Sequence, residues 1–219
     1  MLYSKDKIMT SNIKWATEEV VREGAELMRN GEVIVFGSPG VYVLCCDPFN
    51  KKSVEKICRL KQRDISKSFQ VGIAPEDVDK YANVNPWQKS IISALLPDTI
   101  SFIVPNRTFP SFVANVSLNT ICVVWMDNWV MQGLYKYFGG PYIGTSANCS
   151  GKEPPVTVQQ AFNYFGNKVP LYIDSGPTRF GVANTIIDLT TKPIRCIREG
   201  RYSLEDIKNM IKAKGIECE

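Results

Sequence analysis

Short apolar runs alternate with amphipathic helical segments along most of this chain, and that alternation restricts it to the α/β class. Residues 16–30 place Val21, Ala25 and Met28 at helical spacing. The β-branched run at residues 120–125 is typical of a buried strand. Further helices are predicted at residues 50–60, 75–81, 87–96, 129–138 and 158–165, and further strands at residues 32–36, 41–46, 69–74, 100–104, 141–144, 171–174, 185–188 and 194–197.

Several predicted strands follow one another without a helix between them, so the sheet should contain antiparallel as well as parallel neighbours. No repeat, low-complexity tract or linker interrupts the pattern. We therefore expect a single-domain α/β fold with a twisted, mixed parallel and antiparallel sheet flanked by helices, over residues 16–203. An extension at residues 1–15 would precede it. A C-terminal helix at residues 204–219, capped by Ser203, would follow.

The composition of the chain excludes several kinds of chemistry. Its 219 residues include no histidine, which removes Ser-His-Asp and Cys-His nucleophiles and the commonest transition-metal ligand. Seven cysteines without a CxxC pair fit reduced thiols better than a zinc site or a disulfide framework. The formal net charge of +4 permits an anionic ligand without requiring one. Because neither a membrane span nor a secretion signal is visible, we expect a cytoplasmic protein without a membrane partner.

Two polar segments far apart in the sequence form the candidate site. Lys61 and Arg63 follow a predicted helix and supply two cations suited to a polyphosphate, although cations also suit the negative end of a helix dipole. Residues 144–151, with the sequence GTSANCSG, offer hydroxyl groups, an amide and backbone N–H groups that can bind an anion. Either segment alone would fit an ordinary surface or turn. Together they indicate a nucleotide-dependent enzyme.

The order of these segments resembles the YrdC-like family, the threonylcarbamoyl-adenylate synthases of tRNA modification. The resemblance covers nearly the whole chain, from about residue 16 to residue 203. The matching segments are VYVLCCD at residues 41–47, LKQR at residues 60–63, PYIGTSANCSG at residues 141–151 and RCIREG at residues 195–200. The resemblance implies a YrdC-like fold with a concave basic cavity.

By this resemblance, the protein would combine ATP, bicarbonate and an amino acid or carbamoyl donor into a carbamoyl-type adenylate, with Mg²⁺ held mainly by phosphates. The implied catalytic residues are Lys61 and Arg63, acting on phosphate, and Ser146 and Asn148, acting on the adenylate or carbamate. Nucleotide contacts are implied for Lys67, Thr120, Thr145, Thr157, Arg195 and Arg198. Thr157 matches if one residue is inserted after Gly151. Arg195 and Arg198 could equally be charges on an edge strand.

The same resemblance reveals departures where the amino acid should bind. The implied substrate positions are Gly40, Tyr42, Gly72, Val124 and Asn184, of which Gly40 replaces a threonine, Gly72 a basic or polar residue, Val124 an arginine and Asn184 a serine. The missing arginine should hold the carboxylate, and losing such a partner typically costs about 2–5 kcal/mol. Threonine would bind badly unless Arg179 or Arg195 takes the place of the missing arginine. The nucleotide half of the site is therefore kept, and the amino-acid half is altered.

Several functions stay open on the sequence. The chain could form a carbamoyl-type adenylate with an acceptor other than threonine, or keep threonine in a rearranged pocket. It could also resemble the YrdC-like domain of hydrogenase-maturation and antibiotic O-carbamoyltransferases, which handles carbamoyl adenylate without threonine and has a similar glycine-rich entry at residues 39–47. A separate transferase protein would then accept the adenylate. An inactive paralogue that binds RNA or a nucleotide is the alternative of another class.

Overall fold

The computed structural model describes residues 12–64 and 68–217 of the chain. Within them, ten strands form one sheet: β1 (Ile13–Trp15), β2 (Ile34–Gly37), β3 (Tyr42–Cys46), β4 (Gln70–Gly72), β5 (Ile100–Pro105), β6 (Thr120–Val124), β7 (Tyr142–Ser146), β8 (Tyr172–Asp174), β9 (Thr185–Asp188) and β10 (Arg195–Arg198). The helices are α1 (Glu18–Arg29), α2 (Lys51–Lys61), α3 (Val78–Tyr81), α4 (Pro86–Leu95), α5 (Trp129–Phe138), α6 (Val158–Phe165) and α7 (Leu204–Ala213). None of these described helices is both long and apolar enough to cross a lipid bilayer.

The sheet mixes parallel and antiparallel pairs in the order β1-β8-β2-β3-β7-β4-β6-β5-β9-β10. Strand β3 is antiparallel to both β2 and β7, whereas β4 is antiparallel to β7 and parallel to β6. Strand β5 is antiparallel to β6 and parallel to β9. The expected mixed α/β sheet is therefore confirmed. Its central strands bring residues 43, 70 and 144–146 together, although they are far apart in the sequence.

Helix α1 shows how the sequence pattern produces the packing. Thr17 caps its first turn by accepting a hydrogen bond from Val20 N. Val21 and Met28 on its apolar face are fully buried, and such burial contributes about 1.5–3 kcal/mol for each large apolar side chain. Gly24 allows a close approach, because a Cβ there would lie 2.9 Å from Ile34 Cδ1. The helix thus packs against α5 and the sheet.

Both ends of the chain belong to the domain more closely than the sequence predicted. Residues 13–15, assigned to an N-terminal extension, form β1 and pair in parallel with β8. Three residues are too few to show a strand pattern. Helix α7 packs against α4 and buries Ile207 and Ile211. Residues 1–11 and 218–219 of these two predicted segments lie outside the described residues.

Strand β7 is longer than predicted and includes Thr145 and Ser146. Pairing with β3 places Ser146 opposite Val43 and Thr145 opposite Leu44. The candidate loop therefore begins at Ala147, and the sheet fixes the backbone of Ser146.

The turn after β10 packs closely against the residues that lead into β9. The backbone N–H groups of Gly200 and Tyr202 donate to Thr185 Oγ1 at 3.1 and 3.0 Å. A Cβ at Gly200 would lie 2.1 Å from Ala183 O and 2.6 Å from the backbone carbon of Asn184. Glycine is therefore required at position 200, and this contact fixes the backbone beside Asn184.

We expect Gly200→Ala to lower the free energy of unfolding by about 1–3 kcal/mol, because the added methyl group would overlap backbone atoms. Urea denaturation monitored by circular dichroism would measure the change. Gly140→Ala is the control, since a Cβ there would meet Tyr81 Oη at an ordinary 3.5 Å. Equal stability of the two variants would contradict the prediction.

Candidate active site

Helix α2 presents Lys61 to the loop that follows β7. Gln62 ends the helix in a left-handed conformation with φ 51°. The Lys61 ammonium donates hydrogen bonds to Ser146 O and, at 2.8 Å, to Asn148 O. Ser150 N in turn donates to Lys61 O at 2.7 Å. The side chain and the backbone of Lys61 therefore both hold this loop in place, and the two polar segments of the sequence meet.

Asn148 carries an acceptor that nothing in the described part of the chain satisfies. Its side-chain amide donates to Cys149 O at 3.0 Å and to Lys152 O at 2.6 Å. Its Oδ1 is buried without a hydrogen-bond partner among the described residues, and the residue is 5% exposed. Leaving a buried acceptor unpaired costs about 1–3 kcal/mol. Asn148 Oδ1 is thus ready to accept a hydrogen bond from a ligand.

These groups border a cavity of about 410 Å³, called the main cavity below. Its volume lies within the range typical of small-molecule sites. Among the described residues, its lining contains three cations, Lys61, Arg63 and Arg198, and no carboxylate. The cavity is therefore basic, in agreement with the expectation from the family resemblance.

Burial removes water from the cations of the main cavity, so an anion would bind them more strongly. The pKa of Lys61 falls from about 10.5 to about 8, mainly because the ammonium is buried and secondly because Arg63 is positively charged. Burial also lowers the pKa of Arg63, whose guanidinium lies 4.7 Å from the centre of the Phe69 ring and donates to Ser68 O. An anion that replaces the lost water would stabilise both charges.

Arg198 reaches the main cavity from the end of β10. Its Nε and one terminal nitrogen donate to Asn184 O at 3.1 and 2.9 Å. Asn184 Nδ2 donates to Ser101 Oγ at 3.1 Å. Cys122 lies beside this group, and burial raises the pKa of its thiol to about 12. These contacts form a polar wall across β6, β5 and β9.

The structure separates the sequence-predicted residues into two groups. The residues that line the main cavity are Lys61, Arg63, Thr145, Ser146, Asn148, Asn184 and Arg198. The residues that do not line it are Thr120, Thr157, Arg195, Gly40, Tyr42, Gly72 and Val124. Lys67 lies outside the described residues.

Three of the implied nucleotide positions make contacts within the fold and do not line the main cavity, so their nucleotide contacts stay predictions. Arg195 forms an ion pair with Asp188 at 3.1 Å on the edge strand β10, as its alternative interpretation suggested. Thr157 caps α6 by accepting from Gln160 N at 3.3 Å. Thr120 is buried at the start of β6. The sequence offered the edge-strand alternative for Arg195, and the spacing of Thr157 and Gln160 is that of a capping box, whereas the burial of Thr120 is not evident from the sequence.

Tyr42 likewise has a structural position. Its side chain is fully buried, and its hydroxyl donates to Gly176 O at 2.7 Å, with Asp174 Oδ1 at 3.1 Å. Tyr42 therefore holds the turn after β8 and does not face the main cavity.

Protein atoms lie close to Gly40 and Gly72, two of the altered substrate positions. A Cβ at Gly40 would lie 2.5 Å from Val182 O, so the backbone of residue 182 excludes a side chain there. A Cβ at Gly72 would lie 3.2 Å from the Tyr142 ring. Val124 is buried and pairs in register with Gly72. Protein atoms thus exclude a side chain at Gly40 and lie close to Gly72, whereas the altered position Asn184 lines the main cavity.

Several cavity residues were missed because they lie outside the two polar segments that the sequence analysis selected. They include Ser38, Val43, Gln70, Met126 and Ile186. Strand register was the available signal, since Val43 lies opposite Ser146 and Gln70 opposite Gly144. A prediction that β3 and β4 both pair with β7 would have identified Val43 and Gln70.

A second cavity, of about 450 Å³, shares Ser38 and Met126 with the main cavity and is called the adjoining cavity below. Arg179, considered from the sequence as a replacement cation, lines it together with Arg201. The two cavities thus meet at a common wall.

A magnesium ion would depend on the substrate for most of its ligands. Within residues 12–64 and 68–217, no group of three or more His, Cys, Asp or Glu side chains could hold a metal ion. The main cavity offers hydroxyl and amide oxygens from Ser146 and Asn148. Mg²⁺ binds mainly phosphates and water in such sites, so this lining fits an ion carried in by a nucleotide.

The fold and the cavity together define an α/β protein with a basic pocket at the junction of a helix end and a strand-end loop. The sequence model of the Sua5/YciO/YrdC family, whose description reads "Telomere recombination", matches residues 26–200. The chain belongs to this family. The family resemblance seen in the sequence is therefore confirmed.

Individual relatives agree with that assignment. The putative threonylcarbamoyl-AMP synthase of Methanocaldococcus jannaschii is 30% identical over 179 residues, which cover 81% of this chain and 84% of the relative. The crystal structure of Pyrococcus abyssi Sua5 complexed with L-threonine has a TM-score of 0.84 at 26% identity, covering 91% of this chain and 59% of that one. Escherichia coli YciO has a TM-score of 0.79 at 23% identity, with coverage of 90% and 97%. The chain thus spans less than two thirds of the Pyrococcus protein.

We expect Lys61 to make stability depend on pH. Because its folded pKa is about 8 and its ordinary pKa 10.5, the unfolded chain keeps this proton between those values while the folded chain loses it. The wild type should therefore gain stability relative to Lys61→Met as pH rises through that window, by up to about 3 kcal/mol. Urea denaturation of both proteins between pH 7 and pH 10 would test this. A difference that does not vary with pH would contradict it.

Proposed function

We propose that this protein uses ATP to form a carbamoyl-type adenylate in the main cavity. One observation carries the proposal: the ammonium of Lys61, at the end of α2, contacts Ser146 at the end of β7 and the following loop at Asn148, whose Oδ1 has no hydrogen-bond partner among the described residues. The chain's membership of the Sua5/YciO/YrdC family supports it. So do relatives that bear the name threonylcarbamoyl-AMP synthase.

The proposed reaction joins an amine, bicarbonate and ATP to give an N-carbamoyl adenylate, pyrophosphate and water. The amine nitrogen forms a bond to the bicarbonate carbon, the C–OH bond breaks, and the hydroxide leaves as water with a proton from the amine, giving a carbamate. A carbamate oxygen then forms a bond to the α-phosphorus. The bond from that phosphorus to the bridging oxygen breaks, and pyrophosphate leaves with the electron pair. No protein nucleophile is required, so positioning and charge neutralisation are the protein's task.

Each residue of the main cavity has a matching role. Lys61 and Arg63 would neutralise negative charge that develops on the phosphates, Arg63 through its planar guanidinium. Asn148 Oδ1 would accept a hydrogen bond from the ligand, either an adenylate hydroxyl or the carbamate N–H. Ser146 would donate a hydrogen bond from its hydroxyl group to an oxygen of the adenylate or carbamate. Mg²⁺, when bound, would supply further charge neutralisation at the phosphates.

We further propose that the acceptor is not threonine held as the family resemblance implies. The backbone of residue 182 fills the space beside Gly40, and the Tyr142 ring lies against Gly72. Val124 offers no cation to a carboxylate. A threonine at this place would meet protein atoms and leave its carboxylate unpaired. The cytoplasmic location, a separate transferase partner and RNA binding stay predictions.

Incubation with ATP, bicarbonate and a panel of amines would test the acceptor. The amines should include L-threonine, other L-amino acids and ammonia, and carbamoyl phosphate should be tried as a carbamoyl donor. Mass spectrometry would identify the nucleotide products. We expect a carbamoyl-type adenylate with at least one member and little with threonine. Efficient formation of threonylcarbamoyl adenylate would overturn the second proposal. No adenylate from any member would overturn the first.

We expect Arg63→Gln to lower kcat/KM for adenylate formation by about 100-fold or more, as is typical when a group that stabilises transition-state charge is removed. Pyrophosphate release would provide the rate. Arg59→Gln is the matched control, since Arg59 is exposed on the same helix and lies two residues before Lys61. Similar losses in both variants would argue against a role for Arg63, and thermal melting would identify a variant that had unfolded.

A further inference from the structure

A β-bulge on the edge strand β10 turns Arg198 towards the main cavity. Cys196 lies opposite Ile187 of β9, and Arg198 lies opposite Ile186, which leaves Ile197 as the extra residue. Because neighbouring residues of a strand point to opposite faces, regular pairing would direct Arg198 to the other face of the sheet. Ile186 and Arg198 both line the main cavity. The bulge thus sets the face of Arg198 but leaves its long, exposed side chain to be fixed by other contacts.

The backbone of Asn184 holds one edge of the Arg198 guanidinium. Arg198 Nε and Nη2 donate to Asn184 O at 3.1 and 2.9 Å, so a single carbonyl binds two nitrogens. Nη1 has no hydrogen-bond partner within residues 12–64 and 68–217. A planar guanidinium that is held by one edge presents its other edge in a fixed direction. Nη1 is therefore available to an anion in the main cavity.

The side chain of Asn184 is anchored to the interior of the sheet. Its Nδ2 donates to Ser101 Oγ at 3.1 Å. Asn184 is 7% exposed, and Ser101 is fully buried on β5. Ser101 lies opposite Ile186 of β9, two residues after Asn184. The hydrogen bond therefore ties the residue that binds Arg198 to a strand that cannot move independently of the core.

Two of the altered substrate positions suit this anchor. A serine at position 184 would end one bond short of the amide nitrogen that contacts Ser101. Val124 lies opposite Ser101 on β6 and has no side-chain polar atom that could compete for the Ser101 hydroxyl. Asparagine at 184 and valine at 124 thus both favour the contact between Asn184 and Ser101.

We propose that Asn184 is a positioning residue for the nucleotide: together with Ser101 it fixes the Arg198 guanidinium so that Nη1 meets a phosphate in the main cavity. This inference rests on the proposed function and adds a pair of positioning residues to its site. An exposed arginine loses rotamer freedom when it binds an anion, and fixing it beforehand removes that cost from ligand binding. A merely structural pair would affect stability without acting through Arg198.

Equilibrium titration with ATP and Mg²⁺, without an amine, tests the role directly. Arg198→Gln should weaken ATP binding about tenfold, because a charged contact to phosphate is lost. Ser101→Ala and Asn184→Ala should each weaken it about fivefold, because the guanidinium keeps its charge but its support is no longer fixed. Ser90→Ala is the matched control and should leave binding unchanged, since this exposed hydroxyl donates to Trp87 O on α4.

A double-variant cycle shows whether Ser101 acts through Arg198. In the Arg198→Gln background, Ser101→Ala should change ATP affinity by less than about twofold. Thermal melting would confirm that folded proteins are compared, and Asn184→Ala, which keeps the carbonyl, provides the same cycle if Ser101→Ala does not fold. Losses that multiply independently, unchanged affinity of the single variants, or no binding of ATP to the wild type would overturn the proposal.

Kinetics separate this inference from the proposed function. With an amine that gives product, Ser101→Ala should raise KM for ATP about fivefold and leave kcat within about twofold, because uniform binding is lost. A fall in kcat without a rise in KM for ATP would overturn the positioning role. If the ATP titrations give the expected cycle but no amine yields an adenylate, the proposed function fails while the role of Asn184 stands.

Discussion

The buried ammonium of Lys61 is the interaction on which the candidate site depends. A charge that is 3% exposed must be compensated inside the protein, and the carbonyl oxygens of Ser146 and Asn148 provide that compensation. Because those carbonyls belong to the last residue of β7 and to the loop that follows it, satisfying the lysine also fixes the start of the loop. The fold and the site thus share one hydrogen-bond network.

This network leaves part of the lysine for a ligand. An ammonium has three donors, and two are directed at carbonyl oxygens. The third has no hydrogen-bond partner among the described residues, and an anion in the main cavity would accept it. Carbonyl dipoles compensate a charge only partly, which agrees with the lowered pKa. The same lysine can therefore hold the loop and still attract an anion.

The elements of the fold could be predicted well because periodicity and caps are local properties. Lys61, Arg63, Ser146 and Asn148 were predictable for a related reason: each pair sits within a short segment whose order along the chain is distinctive. Their proximity in space agrees with that prediction, while their roles stay proposals.

The position of Tyr42 was not predictable, since a hydrogen bond to a distant turn determines it. The edge-strand interpretation of Arg195, by contrast, was available from the sequence and agrees with its ion pair. The contacts around Gly40 and Gly72 were equally unpredictable from the sequence. Gly40 is excluded from bearing a side chain by residue 182, and Gly72 contacts Tyr142, so the cause lies elsewhere in the chain.

The segment at residues 179–184 contributes residues to both cavities. Arg179 and Phe180 lie at one end in the adjoining cavity, Val182 O lies over Gly40, and Asn184 lines the main cavity at the other end. A ligand that displaced the whole segment from one side would change the shape of the other side. Any such effect is thermodynamically reciprocal: if one substrate tightens the binding of the second, the second tightens the first by the same factor.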